Sequence, residues 1–171
     1  MTEATPDPLV ACAAGKAGLI WVTAPGGRSQ ALWHVWHFGS IAVVVGGEEQ
    51  QDPVGDAGQV RVSVPSKDNR ARLVTFDASV EQVQPGDERW DQVTFALKAG
   101  RLNAVDADTL VDRWAAGSRV LLLQPLDALL EKPGSYEDSS GAAPPPPTPA
   151  TTVTWRPFHA GGRKRRRRPL R

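Results

Sequence analysis

The sequence predicts an α+β fold that is mostly β: an antiparallel barrel with two or three short helices and a disordered C-terminal tail. Three observations predict it. Short strand-like runs follow one another through Gly-, Pro- and Asp-containing turns, so neighbours join as hairpins rather than through crossovers. Val60, Val62 and Val64 alternate with Arg61 and Ser63, the period of a strand buried on one face. Trp90, Val93, Thr94 and Leu97 fall at i, i+3, i+4 and i+7, a mostly apolar helical stripe.

Each element follows in order. Pro8 to Lys16 is Ala-rich, with Asp7 as cap and Gly15 and Gly18 near its end, and reads as a short helix. Leu19 to Ala24 is a strand, stopped by Pro25-Gly26-Gly27. Gln30 to Phe38 and Ser40 to Val45 read as two strands of a hairpin joined at Gly39-Ser40. Gly46-Gly47 ends that hairpin, and Glu48 to Gly58 is a polar loop. After the alternating Val60–Val64 strand and the polar turn Ser66 to Arg70, Leu73 to Val83 is the next strand. Pro85-Gly86-Asp87 opens the Trp90 helix. A further helix near Asp108 to Ala116 turns Leu110, Val111 and Trp114 inward. Val120 to Gln124 is nearly all apolar and reads as a central strand. Trp90, Leu97, Trp114 and Leu122 are expected in the core. The domain spans residues 8–126, followed by a Pro/Ala/Ser-rich linker over 127–152 and a basic tail over 153–171.

Composition narrows the function. Cys12 is the only cysteine, which excludes an internal disulfide and a cysteine-built metal site and fits a reducing, cytoplasmic setting. No apolar run approaches the ~20 residues that span a bilayer, and Met1 to Pro8 carries acids but no base, unlike a secretory signal. Charge is segregated. Residues 1–152 hold 12 basic and 19 acidic side chains, a net of −7, whereas residues 153–171 hold 8 basic and none acidic. The body repels polyanions and the tail attracts them.

No glycine-rich phosphate loop, His-Glu-x-x-His or nucleophile elbow occurs. Glu48 and Glu49 are adjacent, so on a strand they diverge and support no paired-carboxylate chemistry. His34 and His37 lie three apart in a predicted strand, on opposite faces, and no metal is expected there. Trp21, Trp33 and Trp36 cluster in the first strands. They read first as packing and, as an alternative, as a stacking wall for a planar ligand.

The layout resembles the pyridoxamine 5′-phosphate oxidase-like superfamily. Three stretches carry the likeness: the helix-to-strand passage Ala13-Ala14-Gly15-Lys16-Ala17-Gly18-Leu19-Ile20-Trp21-Val22-Thr23; the Trp-rich hairpin from Ala31-Leu32-Trp33-His34-Val35-Trp36-His37-Phe38 to Ile41-Ala42-Val43-Val44-Val45-Gly46; and Trp114 ahead of a strand ending at Gln124-Pro125. The resemblance implies a split β-barrel that binds FMN, or a related deazaflavin or haem, at a homodimer interface. It places the planar group beside Trp33 and Trp36, with the Ser66 hydroxyl and the cations Lys67, Arg70 and Arg72 of the neighbouring turn for a phosphate. Flavin-binding members supply Arg, Lys and Ser from the second strand and the segment after the third. The corresponding segment here, Gly46-Gly47-Glu48-Glu49-Gln50, carries two carboxylates, which repel a phosphate unless cations outweigh them.

Three readings follow: a flavin- or deazaflavin-linked oxidoreductase; a barrel without cofactor that serves as a scaffold; and a function carried by the tail. In the tail, Arg163, Lys164, Arg165, Arg166, Arg167 and Arg168 neutralise phosphates, and Trp155 and Phe158 can stack on bases. Nucleic acid read without sequence preference is the partner this composition fits, with anionic lipid as a further polyanion.

Overall fold

The computed structural model describes residues 6–101 and 107–136. The residues 153–171, including Arg163 to Arg168, lie outside them. Helix α1 (Pro8–Lys16) leads into β1 (Leu19–Thr23), β2 (Gln30–Trp33), β3 (Val35–His37), β4 (Ser40–Val45), β5 (Gln59–Pro65) and β6 (Arg72–Val83). Helices α2 (Trp90–Gly100) and α3 (Leu110–Gly117) precede β7 (Arg119–Glu131). The seven strands form one sheet in the order β2-β1-β5-β6-β7-β4-β3, every pairing antiparallel. The sheet curls into a split half-barrel, the fold class expected.

The curl is visible in the order itself. The two outermost strands, β2 and β3, are consecutive in the chain and separated only by His34. The segment expected as one strand over Gln30 to Phe38 is divided there. Its first half pairs with β1, Leu19 facing Trp33, and its second half with β4, Val35 facing Ala42. The hairpin into β4 turns at Phe38-Gly39, one residue before the Gly39-Ser40 expected. Both central residues have positive φ, +40° and +79°, as the right-handed twist of such two-residue turns requires.

Alternation builds two cores on the two faces of the sheet. Inside lie Ile20, Val22, Leu32, Ile41, Val43, Val45, Val60, Val62, Val64, Phe76, Leu121 and Leu123, with Val10, Ala13 and Ala14 of α1 against them. Outside β4 and β7, the intervening residues Ala42, Val44, Val120 and Leu122 meet Trp90, Val93 and Leu97 of α2 and Leu110 and Trp114 of α3. Trp90, Leu97, Trp114 and Leu122 are all buried, as their spacing predicts. Because Ile41–Val45 of β4 and Val120–Leu123 of β7 are covered on both faces they read as unbroken apolar runs. β7 continues to Glu131 through irregular pairing with β6, so Asp127 to Glu131, counted with the linker by composition, are strand.

Local chemistry sets the helix ends. Asp7 caps α1 by accepting from Leu9 N at 2.7 Å, with Pro8 in the first turn. Gly86, at φ +93°, supports the turn into α2, and Arg89 then donates to both carboxylate oxygens of Glu81 on β6. Among the described residues no helix is long and apolar enough to cross a membrane.

His34, at the strand division, points inward and is 5% exposed. Its Nε2 lies 2.9 Å from Ala14 O, so Nε2 donates and Nδ1 has no hydrogen-bond partner among the described residues. Burial holds its pKa below the ordinary imidazole value, partly offset by the Ala14 carbonyl. The unfolded chain therefore takes up this proton first as pH falls. Stability contributed by neutral His34 is complete above about pH 7 and declines as pH drops through about 6.5. Urea midpoints should fall from about pH 7.5 to about pH 5.5, and less steeply in His34→Gln. Equal slopes for the two proteins would show that His34 is not the group responsible.

Candidate functional site

Strand division leaves polar backbone to satisfy, and the loop after β4 does so. Gln50 accepts from Trp33 N through Oε1, while its Nε2 donates to Trp33 O at 3.0 Å and to Val44 O at 3.2 Å. One side-chain amide thus bridges β2 and β4 where their ladder is missing. The loop reaches this position through Gly46 and Gly47, at φ +82° and +60°. A Cβ on Gly47 would stand 2.6 Å from Gly117 O, so glycine is required for close approach as well as for backbone sign.

The two glutamates beside Gln50 are paired. Glu49 is buried, its side chain 5% exposed, with Oε2 2.6 Å from Arg101 Nη1, and its Oε1 accepts from Trp114 Nε1 at 3.0 Å. Arg101 also lies over the Trp33 ring, 5.8 Å from its centroid. Arg113 of α3 donates to Glu48 Oε2 at 2.9 Å. A cavity of about 260 Å³ opens between this loop and the end of α3, lined by Gly47, Glu48, Glu49, Arg113, Trp114 and Ser118 among others. The carboxylates that sequence alone sets against a phosphate are thus met by cations from distant elements. Sequence reasoning missed Gln50, Arg101 and Arg113; the only signal was the run of polar residues after Gly46-Gly47.

The sequence-derived cofactor residues fall in two places. Trp33 faces outward, packed with the outer core, whereas Trp36 faces the inner core. Both are half-buried, and their spacing of three puts them on opposite faces, so they do not share a wall. Trp33 instead adjoins Leu19, with Trp21 two residues along the same outer face of β1; these two are 50% and 46% exposed. Ser66 to Arg72 form the β5–β6 turn and its first strand residue. Trp21 faces Ser63 on β5, so this turn extends from the same end of the sheet as Leu19 and Trp33. In the turn Ser66 Oγ accepts from Asp68 N at 3.3 Å, Arg70 sits at φ +59°, and Arg72 pairs with Glu131 at 3.2 Å. Lys67 and Arg70 are exposed and make no ion pair among the described residues. His37 stacks edge-on against Phe38, and no group of three or more His, Cys, Asp or Glu side chains converges among the described residues.

The architecture defines an antiparallel split barrel, the fold that the sequence resemblance implies. Among solved structures, the chain is similar to HutZ, the heme storage protein of Vibrio cholerae, at 17% identity over 72% of this chain and 92% of that one, with a TM-score of 0.49. It is similar to an F420 reductase at 18% identity over 72% and 97%, TM-score 0.47. It is also similar to an FAD-binding protein from Mesorhizobium loti at 14% identity over 70% and 84%, TM-score 0.45. These likenesses are of fold. No family model and no curated protein matches the chain.

The amide bridge gives a direct test. Gln50→Leu keeps the volume but removes both hydrogen-bonding ends, leaving Trp33 N–H and O without that partner. A loss of about 2–3 kcal/mol in urea unfolding is expected. A loss below about 0.5 kcal/mol, the level of ordinary surface changes, would show that the amide does not hold the division together.

Proposed function

We propose that the barrel binds a flavin or deazaflavin on the outer face at the β1–β2 edge and serves as a flavin-linked oxidoreductase of a kind the sequence does not specify. The observation that carries this reading is the register. It brings Trp33, Leu19 and Trp21 to the sheet end from which the Ser66–Arg72 turn projects. Leu19 and Trp21 offer an apolar and aromatic surface for a planar ring, with Trp33, packed in the outer core beneath Arg101, at its margin, and Lys67 and Arg70 offer cations that no carboxylate among the described residues holds. The loop Gly46–Gln50 does not fit a phosphate, because its own carboxylates already engage Arg101 and Arg113. When bound, a flavin would supply the redox chemistry; the chain would supply the ring surface and the phosphate anchor. Trp36, on the inner face, would act through packing. Helices cover the outer face of β4 and β7, so the exposed Leu19 and Trp21 of β1 leave this part of the outer face for a second copy.

Quenching of flavin fluorescence, followed for FMN and riboflavin, tests the reading. FMN should bind more tightly than riboflavin, and Lys67→Ala with Arg70→Ala should remove most of that difference. No quenching by high-micromolar protein would count against flavin. An unchanged preference in the double variant would count against this phosphate anchor, and a monomer mass by light scattering, with and without cofactor, against the pairing.

A second reading is favoured by the charge split of −7 over residues 1–152 against +8 over 153–171. Here the tail binds nucleic acid without sequence preference, and the barrel is its scaffold. With about six phosphates contacted, log affinity should fall with log salt at a slope near −4 on single strands and −5 on duplex. Fluorescence anisotropy with unrelated oligonucleotides measures this. Equal affinity of the full chain and a truncation after Pro133 would sink the reading.

A further inference from the structure

We infer that the junction of the β4 loop with α2 and α3 is an oxyanion site that the chain fills itself, with the Glu49 carboxylate standing where a free carboxylate or phosphate would sit. The donors and the anion come from different parts of the fold. Arg101 follows the end of α2, Trp114 belongs to α3, and both converge on Glu49, at 2.6 and 3.0 Å. Glu49 reaches them from a loop that starts at two glycines of positive φ. The receptor half is anchored without the carboxylate. Trp114 is 1% exposed in the outer core, and Arg101 rests over Trp33.

The arginine has capacity beyond Glu49. Arg101 Nε is buried and has no hydrogen-bond partner among the described residues. A guanidinium recognises an oxyanion through two parallel N–H groups, and Glu49 Oε2 also has no hydrogen-bond partner among the described residues, so this cradle is matched better by an oxyanion of freer approach than by one tethered carboxylate. Arg113 places a second cation beside it, paired with Glu48, whose side chain is 82% exposed. The cavity of about 260 Å³ is lined by Glu49, Trp114 and Arg113 and so reaches the carboxylate from the side of α3. The class of ligand is therefore a small oxyanion, and in the protein as it stands Glu49 is that ligand. The inference does not rest on flavin binding. It stands if no flavin binds, and it requires that a phosphate not enter here while Glu49 is in place.

Chemical rescue in the full chain tests it, with sodium formate and inorganic phosphate as probes and chloride of matched ionic strength as control. Thermal unfolding is followed by tryptophan fluorescence. The wild-type melting temperature should respond to formate no more than to chloride. Glu49→Ala should melt lower and regain about 5 °C at anion concentrations well above its dissociation constant. Adding Arg101→Ala to that variant should abolish the gain. A purely structural Glu49 would show the loss without the rescue. Should Glu49→Ala stay unfolded in chloride, recovery of folded protein on refolding in formate or phosphate supports the site, and failure to recover in either overturns it. Equal stabilisation of wild type and Glu49→Ala by the same anion also overturns it, because the anion then binds elsewhere.

Discussion

The barrel depends on one eight-residue segment, Gln30 to His37, that belongs to both edges of its own sheet. An open antiparallel sheet leaves two rows of unpaired backbone, each a liability for aggregation. Here those rows fall on the two halves of one segment, so the sheet must curl until they meet. His34 is the point where the halves separate, and Gln50 supplies from its side chain the hydrogen bonds that backbone cannot. The inward-outward alternation continues across the division: Leu32, His34 and Trp36 face in, Trp33 and Val35 face out. A register slip of one residue would therefore exchange the residues of both cores at once.

From that geometry comes the asymmetry of the outer surface. The β4–β7 half is sealed by α2 and α3, whose Trp90, Leu97, Leu110 and Trp114 bury Ala42, Val44, Val120 and Leu122. The β1 half keeps Leu19 and Trp21 open. Burying a large aromatic side chain is worth roughly 1.5–3 kcal/mol, so leaving Trp21 46% exposed forgoes part of that stabilisation. A face that retains such a residue beside a cationic turn is where an added ligand or chain gains most.

Much of the fold was legible in the sequence because it rests on local periodicity. The alternating Val60–Val64 strand, the Trp90 stripe, the Asp7 cap and the apolar Val120 run each sit where their pattern put them. The division at His34 was not legible. Nothing in Leu32-Trp33-His34-Val35-Trp36 breaks the period, and the break arises because the two halves find different partners across the chain. The extension of β7 to Glu131 was hidden for a similar reason, since irregular pairing with β6 disturbs the alternation that would have marked it. In the site, the sequence identified Glu48 and Glu49 as the anomaly but not their resolution. Arg101 and Arg113 lie more than fifty positions away, and only the packing of α2 and α3 against β4 brings them near.

That resolution changes the physical objection to a phosphate at the β4 loop. Two bare carboxylates would oppose a dianion by repulsion alone. Glu48 and Glu49 are instead balanced by Arg113 and Arg101, so the four side chains sum to zero and long-range repulsion is small. What remains is occupancy. A tethered carboxylate competes with a free anion at an effective concentration of order millimolar or higher for a short linker. It also makes a buried ion pair whose disruption would strand a charge at about 3–5 kcal/mol. A free phosphate must exceed both terms to enter. At Lys67 and Arg70 of the Ser66–Arg72 turn it meets neither, because these two are exposed and hold no carboxylate among the described residues. The β4 loop, whose cations are already engaged, therefore opposes an incoming phosphate more than the exposed turn at the open end of β1 does, which is why the proposed phosphate anchor is placed at that turn.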